Sequence, residues 1–149
     1  MYNSIKYFEE KCIKKFEKLE DEFLKEPEKL AEYVLGLTEE LHNLGLRMIQ
    51  ESLEEMNRML RKSSKRLQHW VVESHDTKQL LTSLGTVTFK KTLFTNKETG
   101  ESEYLLDRII ELEKHERITE DAQARMLKEA VQTSYRRGRE ETSLTTDVK

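Results

Sequence analysis

The side chains able to do chemistry in this sequence are many but scattered. Asp76, Asp107 and Asp147 are candidates for a two-metal centre, in which carboxylates from strand ends hold two cations about 3.5–4 Å apart. Such a centre needs a rigid multi-stranded scaffold, and the strand-forming stretch here is short. Asp76 and Asp107 are therefore expected at a turn and a helix start, accepting backbone N–H groups. His42, His69, His75 and His115 do not pair with one another or with Cys12 at metal-ligand spacing. No GxGxxG, GxSxG or HExxH pattern occurs, and no glycine-rich loop ending in Gly-Lys-Ser or Gly-Lys-Thr. The expectation is a chain with no metal, no cofactor, no small-molecule ligand and no enzymatic activity.

Positive charge is more organised. Arg58, Arg61, Lys62, Lys65 and Arg66 recur at three- and four-residue steps, lining one side of a helix end where they suit both the helix dipole and a phosphate backbone. Arg136, Arg137 and Arg139 follow Ser134 and Tyr135, as at the start of the second helix of a helix-turn-helix, whose amino-terminal residues enter the major groove.

Length and composition set the frame for these residues. The chain has 149 residues, enough for one ordinary domain or a small domain with a helical extension. Only 36% of residues are hydrophobic, against about 45–50% in typical domains, so an elongated shape or a partner is expected. Charge is balanced at −3, which argues against a wholly basic nucleic-acid binder and leaves room for a local basic face. Cys12 has no intramolecular partner and sits at an apolar helical position, which suits a buried thiol in a reducing, cytoplasmic setting. The start MYNSIKYFEEKCIKKF lacks the apolar run of a signal peptide, and no stretch is long enough to span a membrane.

Apolar residues at Ile5, Phe8, Cys12, Phe16, Leu19 and Phe23 predict a first helix, with a break near residues 25–27 at Pro27. A second, longer pattern runs from Leu30 to Leu60, with Gly36 and Gly45 as weak points. Its leucine recurrence slips by two after Leu44, which favours an antiparallel helical pair over a long coiled coil. Beyond Ser63 and Ser64 the period becomes two. Val87, Phe89 and Leu93 alternate with Thr86, Thr88, Lys90 and Thr92, and NKETG turns the chain toward a short strand at 102–105, giving one β-hairpin. Helices return after it. Thr119 is placed to cap one whose buried face is Ala122, Met126, Leu127, Ala130 and Val131, and a second begins near Thr133. The expected fold is mainly α with a small β-hairpin: a helical leader over 1–68, then a small α+β region over 69–149 ending in a helix-turn-helix-like pair.

One order of features is specific: TSLGTVTFKKTLFTNKETGESEYLLDRII as a hairpin with a basic pair followed by Tyr-Leu-Leu-Asp, then ITEDAQARMLKEAVQTSYRRGRE as a helical pair closing on Ser-Tyr-Arg. Over residues 45–142 this resembles the bacterial insertion-sequence transposases of the ISLre type, long filed as an uncharacterised protein family. The resemblance implies recognition of duplex DNA at element ends by the amino-terminal region, with an RNase H-like catalytic domain following. The chain is expected to stop before that domain, as a truncated gene product or a fragment. Lys90, Lys91, Arg136, Arg137 and Arg139 are then the candidate phosphate contacts, with Tyr135 as a packing or backbone contact. The alternative is a helical protein-interaction module, forming a homo-oligomer through the long helix without binding DNA.

Overall fold

The computed structural model describes residues 3–113 and 116–147, with residues 138–147 described by backbone alone. It is mainly helical, with a small three-stranded antiparallel sheet. The first amphipathic stretch forms α1 (Asn3–Tyr7), one π-helical turn (Phe8–Cys12) and α2 (Ile13–Lys25). It ends at Glu26, whose extended φ of −132° precedes Pro27, the first residue of a 3-10 turn where a missing N–H leaves no bond unmade. The chain then reverses into α3 (Leu30–Lys62), and the two helices pack as the antiparallel pair the pattern implied.

Their seam is specific. Phe23 stacks on Tyr33 with ring centres 4.9 Å apart. Gly36 lets Leu19 approach so closely that a Cβ there would lie 2.8 Å from the leucine Cδ2. Nearer the amino terminus, buried Glu40 accepts from Cys12, Tyr7 and Lys15 at 3.2–3.3 Å. Burial pushes the Glu40 carboxyl up, but these three donors outweigh it and hold it below the usual carboxylate range. Burial, then the neighbouring carboxylate, pushes the Cys12 thiol up to about 11, in keeping with a sheltered thiol.

α3 stops at Ser63, whose hydroxyl accepts from the Arg66 N–H and caps the short helix α4 (Ser64–His69). Two long strands follow, β1 (Trp70–Thr82) and β2 (Gly85–Asn96), paired from Trp70 opposite Asn96 to Thr82 opposite Gly85, with a bulge at Glu73. The turn between them needs Gly85 at φ +135°, and Thr82 braces it by donating to the Gly85 carbonyl at 2.8 Å. The main hairpin is thus β1–β2. The expected turn at NKETG is also present, with Gly100 at φ +74° and Asn96 Oδ1 accepting from Glu98 and Thr99, but the strand after it, β3 (Ser102–Glu103), pairs with β2 only at Phe94 and Thr95. Asp76 lies within β1 rather than at a turn.

Because β3 is so short, most of the outer edge of β2 would be open. α3 closes it with side chains. Glu54 Oε1 accepts from the Lys90 N–H at 3.0 Å and Asn57 Oδ1 from the Thr92 N–H at 3.1 Å, while Asn57 Nδ2 donates to the Thr92 hydroxyl at 2.9 Å. Leu46, Ile49, Leu53 and Leu60 of α3 cover the core formed by Leu80, Val87, Phe89 and Leu106. Gly45 admits the turn residue Leu84, whose Cδ1 would lie 2.6 Å from a Cβ there.

α5 (Leu105–Ile109) packs its Leu105 and Leu106 inward. Residues 117–119 then run beside the end of β1: the Leu81 N–H donates to the Arg117 carbonyl at 2.8 Å and the Thr119 N–H to the Leu81 carbonyl at 3.0 Å. α6 (Glu120–Asp147) is one continuous helix. The expected break near Thr133 is absent: the helix runs through it, with the Thr133 hydroxyl turned back onto the Glu129 carbonyl at 2.9 Å rather than capping a new helix. The expected buried face also fails beyond its first residue. Ala122 is buried, whereas Met126, Leu127 and Val131 are at least half exposed, since α6 leaves the body after its first turns. No helix among the described residues is long and apolar enough to cross a membrane.

Candidate functional site

Alternation along β2 decides what its basic pair can do. Val87 and Phe89 face the core, so Lys91, two residues further, faces inward as well, and Lys90 faces out. Lys90 is exposed and lies opposite Thr77 in the hairpin. Lys91 is 6% exposed. Its ammonium donates to Asp107 Oδ2 at 2.8 Å and sits 3.6 Å from the centre of the Tyr104 ring. A buried lysine held this way ties α5 to the sheet and is not offered to a phosphate. Asp107 lies in the first turn of α5, near its expected place, but takes a lysine there.

Three further residues complete this cluster. Tyr104 donates to Asp76 Oδ2 at 2.6 Å, and that bond, then burial, pushes its hydroxyl up to about 12. Lys78 reaches within 3.9 Å of Asp107 Oδ2, and burial holds its ammonium below the usual lysine range despite the carboxylate. Asp107 Oδ1 is buried without a hydrogen bond among the described residues. The cluster opens on a groove of about 900 Å³ between β1 and residues 116–118. Sequence reasoning missed Lys78 because Asp76, Lys78 and Leu80 share a face only once β1 is recognised as a strand.

The other basic residues divide similarly. Arg58 pairs with Glu55 on its own helix. Arg66 turns inward, donating to the Arg61 and Trp70 carbonyls and lying over the Phe94 ring. Lys62 and Lys65 remain exposed, and Lys97, which sequence reasoning passed over, joins that end of the molecule by donating to the Leu67 carbonyl at 2.8 Å. Arg136 and Arg137 are exposed on α6, as is Tyr135. Arg139 belongs to the same helix, but its side chain lies outside the described residues. The structure therefore does not gather the described candidates into one patch: Lys90 lies on the hairpin, Lys91 is enclosed, and Arg136 and Arg137 are exposed on α6. Among the described residues no group of three histidine, cysteine, aspartate or glutamate side chains is arranged to hold a metal ion.

A family model, that of an uncharacterised protein family, UPF0236, matches residues 23–148, from the end of α2 through α6. The chain belongs to this family. Its curated relatives include UPF0236 protein TTE2489 of Caldanaerobacter subterraneus subsp. tengcongensis, 33% identical over 93 residues, which are 62% of this chain and 20% of the relative. Another from the same organism is 32% identical over 96 residues, covering 64% of this chain and 21% of the relative, and its name strings together eleven numbered designations beginning with TTE0033. A third, named with four designations, is 34% identical over 89 residues, covering 60% and 19%. The matches thus span about a fifth of the length of the curated UPF0236 relatives. No solved structure matches.

Proposed function

We propose that the chain is a non-catalytic, duplex-DNA-binding portion of a transposase-like protein acting in the cytoplasm. The observation that carries this reading is α6. The helix is fastened near its start, where Asp121 accepts from the Ser83 N–H and Arg125 donates to the Ser83 carbonyl, and it then presents Arg136 and Arg137 to solvent on a rod of major-groove width. Exposed Lys90, Lys62 and Lys65 supply further phosphate contacts on the body. The relatives' names support the same reading, because one protein carrying up to eleven designations in one organism fits an element present in several copies.

Fluorescence anisotropy with a duplex carrying the element's ends, set against a scrambled duplex, tests it. Binding is expected to weaken steeply with salt, and Arg136→Ala with Arg137→Ala to reduce the log–log salt slope by about 0.9 for each phosphate the two arginines neutralise. Added magnesium is expected to leave the DNA uncut. Absence of salt-sensitive binding to either duplex would overturn the proposal.

A second reading, association through the long helix without DNA binding, is favoured by Leu30, Val34 and Leu41 of α3, each at least half exposed along one helix. A stable oligomer by light scattering with no affinity for DNA would select it.

A further inference from the structure

The amino-terminal half of α3 carries an apolar seam that the fold leaves open. Leu30, Val34, Leu37, Leu41, Leu44 and Met48 follow one another at alternating steps of four and three residues, which places them within about 80° around the helix. Leu37 and Leu44 are half-buried, whereas Leu30, Val34, Leu41 and Met48 are 54, 50, 55 and 48% exposed. The helices before α3 do not cover the seam, because they pack on Tyr33, Gly36 and Glu40, which lie on a neighbouring face. The hairpin does not cover it either, since the α3 residues that meet it begin at Gly45 and Leu46. The flank away from α2 holds Ala31, Thr38 and Gly45, so the seam runs without a neighbouring charge in a sequence that is 37% charged. Depletion of charge marks the core of an interface.

We infer that the occupant of this seam is the same seam of a second copy, running antiparallel, so that two α2–α3 pairs form a four-helix bundle. The inference rests on the association reading given above and adds the partner surface, its direction and its register. Continuing the same steps past Met48 reaches Glu51 and Glu55. A parallel pair would set each of these carboxylates against its own counterpart, and like charges within a seam select against it. Antiparallel pairing keeps them out. With Leu37 opposite Leu41 of the second copy, Leu30 meets Met48 and Val34 meets Leu44, so all six seam residues gain an apolar partner. Glu51 then falls opposite Pro27, before the start of the facing α3. A shift of one heptad one way sets Glu51 against Val34, and the other way leaves Leu44 and Met48 with no α3 residue opposite them. On the flank, small Ala31 comes beside Gly45, where Leu84 of the hairpin turn already packs. The seam is about 27 Å long, and with α2 alongside the face is about 20 Å wide. Pairing therefore buries roughly 1,000 Å² in total, enough for a specific but weak dimer. Arg136 and Arg137 lie on α6 and take no part in it.

Light scattering and cross-linking of the 149-residue chain test it. The parent chain is expected to dimerise at roughly 10–100 µM, as suits a small interface, and Leu41→Glu to weaken the dimer at least tenfold. Because Leu41 is more than half exposed in a single copy, this variant is expected to keep the parent's helicity by circular dichroism. Thr38 lies opposite its own counterpart in this register, so Thr38→Cys is expected to form a covalent dimer with a short bismaleimide. Leu30→Cys is not, because its counterpart lies at the far end of the seam, about 27 Å away. Buried Cys12 does not compete. A chain that stays monomeric up to about 1 mM would overturn this inference and the association reading together. An oligomer that Leu41→Glu leaves unchanged, or that links through Leu30→Cys and not through Thr38→Cys, would overturn this inference while the association reading stands.

Discussion

Replacing Asn57 by leucine tests whether side chains of α3 substitute for a missing neighbour strand. Asn57 is 5% exposed and makes both of its bonds to Thr92, itself fully buried. Leucine keeps the branching and heavy-atom count of asparagine, so no cavity arises, and the Thr92 N–H loses its acceptor. The Thr92 hydroxyl keeps His75 Nδ1 at 3.1 Å. A buried donor left unsatisfied costs about 1–3 kcal/mol, so about 2 kcal/mol is expected here. With a urea dependence of about 2 kcal/mol per molar, the unfolding midpoint should fall by about 1 M. Circular dichroism in a urea series measures it, and amide exchange adds a local readout: Thr92 should exchange faster while Lys90, still bonded to Glu54, should not. A midpoint within about 0.2 M of the parent, on the same urea dependence, with the Thr92 amide still protected, would refute the reasoning.

Two further outcomes follow from other contacts. Tyr104 should ionise near pH 12, and Tyr104→Phe should remove that step from an ultraviolet titration. Since its pKa is raised on folding, the associated stability is complete below about pH 10, the usual tyrosine value, and is lost as pH rises through about 12. At Gly45, alanine gains about 1 kcal/mol of helix propensity but must displace the Leu84 Cδ1 that would lie 2.6 Å from its Cβ. Gly45→Ala should therefore stabilise more in a Leu84→Ala background than in the parent, as read by thermal melts of the four proteins. Equal effects in both backgrounds would remove the proposed contact.

The helical half was legible because its signals are local. Pro27 and Ser63 mark where helices stop, and of the predicted apolar stripe Cys12 is buried while Ile5 and Phe8 stay exposed. β1 was hidden because Glu73, Asp76, Lys78 and Gln79 interrupt its apolar alternation, and its partners become visible only when Asp107 and Tyr104 arrive from across the sheet. The inward turn of Lys91 was readable, since it shares parity with Val87 and Phe89, but its basic neighbour made the two look alike. In α6, periodicity predicted a buried face of Ala122, Met126, Leu127, Ala130 and Val131, of which only Ala122 is buried. It could not say whether anything packs there, and for Leu127 and Val131 nothing described does so beyond the first turns.

α3 has a mechanical consequence of its own. Glu40, clasped by Tyr7, Cys12 and Lys15, and Asn57, clasped to the hairpin, lie on one unbroken helix about 25 Å apart. Each end is gripped by polar groups that tolerate little rotation, so the helix behaves as an axle rather than a tether. Rotating the amino-terminal pair about the α3 axis would have to strain either the Glu40 clasp or the Asn57–Thr92 bonds.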